Sequence, residues 1–550
     1  MTAAPTPKSI ANQVRSRAGI RLGIAAVAAA LIALVGAGTA GSQQFPGVFT
    51  VTTTADGNDG QCTNNDCTLR EAIAAAQPGG GTSITVPPGV YRLTQGPLVF
   101  TQSAVVIGPG LVGGQGAGAR TAIIDARGAS RVVQAAAGSS SIIAGLTIKG
   151  GAADVGAGAL VESGATLSLF NVAVEDNVAT SRGGGIAALG GVAISSSTIS
   201  GNRAPSGAGL AVDTDGDGQL AVSTVSGNTA TGSGGGISSA GSMLIHGSTI
   251  ARNTGGGYFQ ESAVGAGITM WNSILAGNNG GACGGSITGL PRGQFNRNLA
   301  DDATCVFASE TEGIQADPRL GALANNGGPT DTHALGAGSP AINAADAQFC
   351  FGTDQRSAQY VNGCDMGAFE FGGRPPQVQL PPPVAGETVN VGLSRGTVRI
   401  KLPGSDEFFV LKGEQQVPVG STFDTTKGRV NLEAAGASEA WFYKGLFRMR
   451  QGKGRRPLTT LKLTGRLDCG RGNASTAQRR RKKRRLWGDG KGKFRTDGSF
   501  SSATVRGTKW LVVDQCNGTL TDVRRGRVAV RYRGRTIILT RGETFFARRR

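Results

Sequence analysis

A chain of 550 residues is too long for one ordinary domain, and its 90 Gly against four Trp and five Tyr suit tight turns and thin stacked layers rather than thick helical packing. The formal charge of +19 is uneven: from Glu387 onward 37 Lys and Arg face 13 Asp and Glu, a surplus of +24, which leaves 18 against 23, or −5, for residues 1–386. Basicity thus belongs to the C-terminal part alone, and directs that part toward anionic polymers: nucleic acid, acidic wall polysaccharide or a phospholipid surface.

Residues 1–40 have the layout of an export signal. Lys8, Arg15, Arg17 and Arg21 precede the apolar run "LGIAAVAAALIALVGAGTA", with the small residues Gly38 and Ala40 at a cleavage point. The run approaches spanning length, so an uncleaved membrane anchor is the alternative. Either way the bulk of the chain is expected to be extracellular or on the cell surface. The eight cysteines agree with an oxidising compartment. Of their 105 connectivities, proximity selects Cys62 with Cys67, Cys283 with Cys305, Cys350 with Cys364 and Cys469 with Cys516. With no CxxC and only two His, no zinc site is indicated.

Next comes "CTLREAIAAAQPGG". Thr68 and Glu71 form a T-x-x-E capping box, Leu69, Ala72 and Ile73 give an apolar stripe, and Pro78-Gly79 stops the helix. A solenoid needs such a cap, because its first turn exposes an apolar face and an open strand edge.

A repeat follows. Asn177, Asn202, Asn228, Asn253 and Asn278 are spaced by 25, 26, 25 and 25 residues, each with an apolar residue three places earlier (Val174, Ile199, Val225, Ile250, Leu275). Glycine clusters introduce a second apolar strand: "GGGIAAL", "GAGLAV", "GGGISSA", "GAGITM". Short alternations of Ile or Val with Ser or Thr, broken by Gly and Asn, read as strands. A period near 25 is one turn of a parallel β-helix, with about ten rungs from residue 45 to 300 and a rod about 50 Å long. In "ISSSTISGN", Ile194 and Ile199 are expected inside, Ser and Thr outside, and Asn202 at the turn. The recurrent Asn reads as a stacked amide ladder, with a ligand-facing row as the alternative.

At this point two segments resemble known families. "FTVTTTADGNDGQCTNNDCTLREAI" is similar to the CSLREA domain that opens exported bacterial β-helix proteins, with Thr68 in place of the Ser. Residues 317–371 look like a choice-of-anchor Q domain: Asp317-Pro318, Asn326-Gly327-Gly328-Pro329-Thr330, His333-Ala334-Leu335, Asp354-Gln355-Arg356 and Asp365-Met366-Gly367-Ala368-Phe369-Glu370 stand in the family's order. These resemblances imply an all-β, right-handed parallel β-helix of the pectin-lyase-like kind over 45–300, CSLREA-like at 47–75, with 301–372 as its C-terminal part and a surface location. A Pro-rich linker, 373–386, then leads to a β-rich basic domain, 387–550. Its "VRGT", "GRVAV" and Gly542-Glu543 are similar to FecR-like domains, from which only the fold is carried over.

No catalytic set is expected. Glu175, Asp176, Arg182, Arg203 and Arg252 are scattered over the repeats, and no pair of Asp recurs at one-rung spacing. His246 reads as a packed or solvated residue, and His333, Asp354 and Asp365 as turn and capping residues. In "DTDGDG", Asp213, Asp215 and Asp217 match the first half of a calcium loop, but Thr224 stands where an EF-hand has Glu, so an acidic solvated turn competes with a Ca2+ site. The run Arg479, Arg480, Arg481, Lys482, Lys483, Arg484, Arg485 suits an anionic envelope polymer or a lipid surface, with a solvated loop as the alternative. Nucleic acid is not expected as the partner, although Trp487 and Phe494 have the rings to stack on bases. Carbohydrate remains a candidate ligand.

The leading expectation is a monomeric, non-enzymatic surface protein, structural or adhesive, held by its basic domain. The competing one is a β-helix lyase or hydrolase of acidic polysaccharide, which carboxylates within about 6 Å of a Lys or Arg in an open groove would favour.

Overall fold

In the computed structural model, which describes residues 47–549 other than 64, 80, 110–117, 262–266, 288–293, 376–379, 381, 406–407, 412–413, 455–456, 468, 470–482 and 506, the 25-residue period is one turn of a parallel β-solenoid. The expected signal, 1–40, lies outside the described residues, as do parts of the linker. No described helix is long and apolar enough to cross a membrane.

Like side chains stack in register along the solenoid. Leu169, Ile194, Leu220, Ile245 and Met270 form one column, on a first sheet. Val174, Ile199, Val225, Ile250 and Leu275 form the next, on a second. Ile186, Leu210, Ile237 and Tyr258 form the column on a third. All are buried, which is worth about 1.5–3 kcal/mol for each large apolar side chain. The first and second sheets have ten strands and the third eight, so eight turns contribute to all three and the remaining strands close the ends. A strip of four short strands, beginning with Ala152–Val155, widens the middle turns.

The recurrent Asn residues are the amide ladder. Asn202 Oδ1 accepts from the Asn177 backbone N–H at 3.1 Å and from its Nδ2 at 2.9 Å, and Nδ2 of Asn202 donates to the Val174 carbonyl at 3.0 Å. The same contacts repeat from Asn202 to Asn228, Asn228 to Asn253 and Asn253 to Asn278. Asn177, Asn202, Asn228 and Asn253 are satisfied from both sides, donating to the preceding rung's carbonyl and to the following Asn, which is what makes their burial tolerable. The ladder also accounts for the glycine clusters: a Cβ on Gly209 would lie 3.1 Å from Asn228 Nδ2 and 2.4 Å from the Gly236 carbonyl oxygen.

One expectation is corrected here. Ser197 and Thr198 do not face solvent; both are buried. Ser197, Ser223, Ser248 and Ser273 form a second ladder at the opposite corner of the second sheet. The hydroxyl of Ser223 accepts from the Ser197 N–H at 3.1 Å and donates to the Ala221 carbonyl at 2.8 Å, and its neighbours repeat the pattern. The turn needs it: the residue before each of these Ser is in the left-handed region (Ser196 φ 49°, Val222 φ 48°, Gly247 φ 52°, Asn272 φ 52°), which aims the following N–H at the next rung.

At the N-terminal end Leu69–Ala74 is the capping helix, with both halves of the Thr68/Glu71 box made. It ends at Ala75, ahead of Pro78. Leu69, Ala72 and Ile73 join the core shared by Ile84, Leu98 and Phe100, so the helix plugs the first turn. Arg70 pairs with Asp56 at 2.8 Å and donates to the carbonyls of Gly96 and Pro97.

The last solenoid strand is Gly313–Gln315. Beyond it the chain adds no further turns. It makes a short antiparallel hairpin, Leu320–Ala324 with Thr332–Leu335, and folds back over the outer face of the second sheet. Thr198 Oγ1 donates to the Asp331 carbonyl, Thr224 Oγ1 to Gln355, and the Ala368 N–H to Thr249 Oγ1, while Trp271 stacks on Phe349 at 4.4 Å. This cover is why Thr198 is buried.

From Thr388 the chain forms a separate β domain, a single fifteen-stranded, mainly antiparallel sheet. Thr422–Ala434 pairs with Leu446–Gln451 through its first residues and with Ser438–Tyr443 through the rest, so it belongs to two stretches of sheet at once. Phe423, Phe442, Phe447, Phe494 and Trp510 fill the core in edge and stacked contacts of 5.2–6.0 Å. All four proximity-chosen disulfides are present, and no described cysteine is free.

Replacing Asn228 by Ala removes the acceptor for two buried donors of Asn202 and should cost about 3 kcal/mol or more, whereas Ser223→Ala strands one N–H and should cost about 1–2 kcal/mol. Urea unfolding followed by circular dichroism measures both, and equal effects would contradict the ladder's larger share.

Candidate functional site

Three clusters of polar side chains stand out. The first is inside the fold-back segment and holds His333, Asp354 and Asp365. Asp354 is paired with Arg356 at 2.7 Å and accepts the N–H groups of Arg356, Ala358 and Glu370. Arg356 also donates to the Glu370 and Asn326 carbonyls and lies over the Phe369 ring at 3.6 Å. Asp365 accepts from the Asn343 and Phe371 N–H groups, and Glu370 from those of Val361 and Asp365. His333 bridges the Ser226 hydroxyl and the Gly321 carbonyl. All of these side chains serve backbone, as expected of turn and capping residues, and Arg356 and Glu370 complete a set of which the sequence reading singled out three. Burial pushes the Glu370 carboxyl up to about 7 and raises Asp365 as well. His246 is likewise packed, with Nε2 2.5 Å from the Phe349 carbonyl and its ring 5.6 Å from that of Phe351. Burial lowers the pKa of both histidines.

In "DTDGDG" the three carboxylates do not converge. Asp213 accepts from the Thr214 N–H and faces Arg182 at 3.3 Å, Asp215 is exposed in the turn, and Asp217 opens the strand Asp217–Ala221. Among the described residues no three His, Cys, Asp or Glu side chains are grouped as a metal site.

The second cluster is the outer face of the C-terminal domain. Arg479, Arg480, Arg481 and Lys482 lie outside the described residues. Lys483 is exposed, while Arg484 and Arg485 begin the strand Arg484–Lys491 and alternate across it. Arg484 reaches the buried Asp514 at 2.6 Å, and Arg485 points outward on the side of Trp487. Cross-strand register places Trp487 opposite Tyr443, with ring planes parallel within 3° and centroids 6.0 Å apart. The Arg429 guanidinium lies 5.4 Å from the Trp441 ring centre and 5.5 Å from that of Tyr443. Trp487 then borders a recess of about 580 Å³ lined otherwise by Lys509, Arg524, Arg525 and Arg541. Arg524 is tied to Asp522 and Arg525 to Asp489. Phe494, suggested as a stacking ring, is instead fully buried in the core, because its strand turns it inward.

The third cluster was not read from sequence. On the second sheet Arg92, Asp125, Lys149, Glu175 and Ser200 occupy one position of successive rungs, each directly after the recurring apolar residue. Lys149 Nζ is 3.8 Å from Glu175 and 3.8 Å from Asp176. Beside them Arg120 pairs with Asp331 of the fold-back segment. Phe408, Phe409 and Val410 of the C-terminal domain complete the wall of a cavity of about 250 Å³. Burial raises the Glu175 pKa, and Lys149 partly offsets that rise. Carboxylates therefore do meet a Lys in a cleft, away from Asp213, Asp215 and Asp217. Comparison of the chain with protein-family models, curated proteins and solved structures found no match.

Glu370 sets a pH dependence. Its folded pKa, about 7, exceeds the ordinary 4.5, so its contribution to stability is complete below about pH 4.5 and is lost as pH rises through about 7. Buried His246 and His333 act oppositely, since their depressed pKa values remove stability as pH falls. The difference between wild type and Glu370→Gln isolates the carboxyl: urea midpoints between about pH 5 and pH 8 should decline less with rising pH in the variant.

Proposed function

We propose that this is an exported surface protein in which a capped β-solenoid displays a basic β domain that holds an anionic envelope polymer. The observation that carries this reading is the outer face of that domain, where Arg429, Trp441, Tyr443, Trp487, Lys509 and Arg525 share neighbouring strands. Flat rings offer stacking area to sugar rings, and the cations offer charge to carboxylate or phosphate. Each alone is common, but together on one rigid sheet they suit a chain that is both cyclic and anionic. Four disulfides support an oxidising, extracellular setting.

The competing reading, cleavage of an acidic polysaccharide, has Lys149 beside Glu175 in its favour. The described charges of that cleft oppose it: Arg120 and Lys149 face Asp125, Glu175 and Asp331. A polyanion is not drawn to a site with a surplus of carboxylate.

Retention of the full chain on immobilised polygalacturonate, phosphatidylglycerol vesicles and single-stranded DNA across a salt series tests the proposal. Binding to polygalacturonate should weaken with salt, and Trp487→Ala and Lys509→Ala should each reduce affinity about tenfold, or about 1.4 kcal/mol. Failure to bind any of the three sinks the anchoring role.

A further inference from the structure

The outer face of the second sheet is covered from both ends and left open in the middle. The fold-back segment seats Asp331, His333, Gln355 and Gly367 against the turns from Thr198 to Asn272. At the other end Phe409 packs in the same apolar cluster as Val90 and Ile123 of the first turns. Between these covers Thr147, Lys149, Ala173 and Glu175 form the floor of the cavity of about 250 Å³, with Pro329 and Phe408 on its walls.

We propose that this cavity is a binding site for a single neutral sugar ring. Its size is the first argument. Sites for extended organic ligands occupy about 300–1,000 Å³, and at about 30 Å³ per water this one holds roughly eight waters, enough for one ring and too little for a chain. Charge is the second. Two cations and three carboxylates line it, so a free anion finds no surplus of positive charge, whereas a hydroxyl both donates to a carboxylate and accepts from an ammonium.

The third argument is that the floor's polar capacity is not used up. At 3.8 Å the contact between Lys149 and Glu175 is not a hydrogen bond, so the ammonium keeps donors and the carboxylate keeps acceptors toward the cavity. Vicinal hydroxyls of a ring bridge such a pair, each making the short bond that the ions do not make with each other. Phe408, Phe409 and Ile123 supply the apolar side on which the C–H face of a sugar rests. The floor itself is rigid, since its backbone is tied into parallel strands on both sides.

This site is independent of the basic face, and its test separates the two. Saturation-transfer NMR on the full chain, with glucose, galactose, mannose, N-acetylglucosamine and glucuronate each at about 10 mM, covers the weak range in which a single ring binds. At least one neutral sugar should receive saturation. Lys149→Met and Glu175→Gln should each weaken that signal about tenfold with unchanged unfolding midpoints, while Trp487→Ala leaves it intact. Absence of transfer to every neutral sugar, transfer to glucuronate alone, or a signal that survives both cavity variants overturns the proposal.

Discussion

The structure depends on in-register stacking of one rung on the next. A parallel solenoid leaves every corner with backbone N–H groups that no strand partner within the same turn can satisfy. Here two corners per turn solve this with side chains, an Asn on one side of the second sheet and a Ser on the other. In each case the side-chain oxygen accepts the N–H of the equivalent residue one rung earlier. The solution works only if all rungs have the same length to within a residue, and it forbids side chains where the amides pass, which fixes glycine at positions such as 185, 209, 236 and 257. Hydrophobic columns then fill what the ladders have aligned.

A regular solenoid of this kind still has surfaces to dispose of. Leu69–Ala74 closes the N-terminal end by burying its apolar stripe among the first rungs. The second sheet receives the fold-back segment: Leu335, Ala341 and Met366 pack in one apolar cluster with Ile274, Ala276 and Leu299 of the sheet, while an ionic knot around Arg356 orders the segment internally. Enclosing three carboxylates beside one guanidinium is tolerated because nearly every oxygen accepts a backbone N–H. The same enclosure gives Glu370 its raised pKa, so the tightness of this cover is coupled to pH.

Both proposed sites lie on surfaces that the repeat does not build by itself. The C-terminal domain alternates buried and outward residues along each strand, which puts Leu486, Trp510 and Val512 inside and Trp441, Tyr443, Trp487 and Lys509 on one outer face. Its basic surplus therefore has an aromatic framework beside it, a combination suited to a cyclic anionic polymer. The cavity over the second sheet has the opposite character, small and without a surplus of positive charge. The proposed sugar site and the proposed polyanion face are thus chemically distinct.

Much of this was legible in the residues. The Asn spacing, the apolar residue three places before each Asn, the capping box at Thr68 and the change of composition near residue 387 each report a local or strictly periodic constraint, and such constraints survive in one dimension. The cysteine pairs were readable for a similar reason, since each joins neighbours in the order of cysteines along the chain. What only the tertiary structure decided involves residues far apart in sequence. Ser197 looked solvent-facing because its ladder depends on a left-handed corner that no propensity marks, and Thr198 because its cover comes from 133 residues later. Phe494 and Trp487 looked alike until strand alternation sent one inward and the other outward. Glu175 seemed one of several scattered charges and Asp125 and Lys149 did not stand out at all, although all three follow the recurring apolar residue. Only parallel register turns that spacing into adjacency, and only two distant covering segments turn the adjacent charges into a cavity.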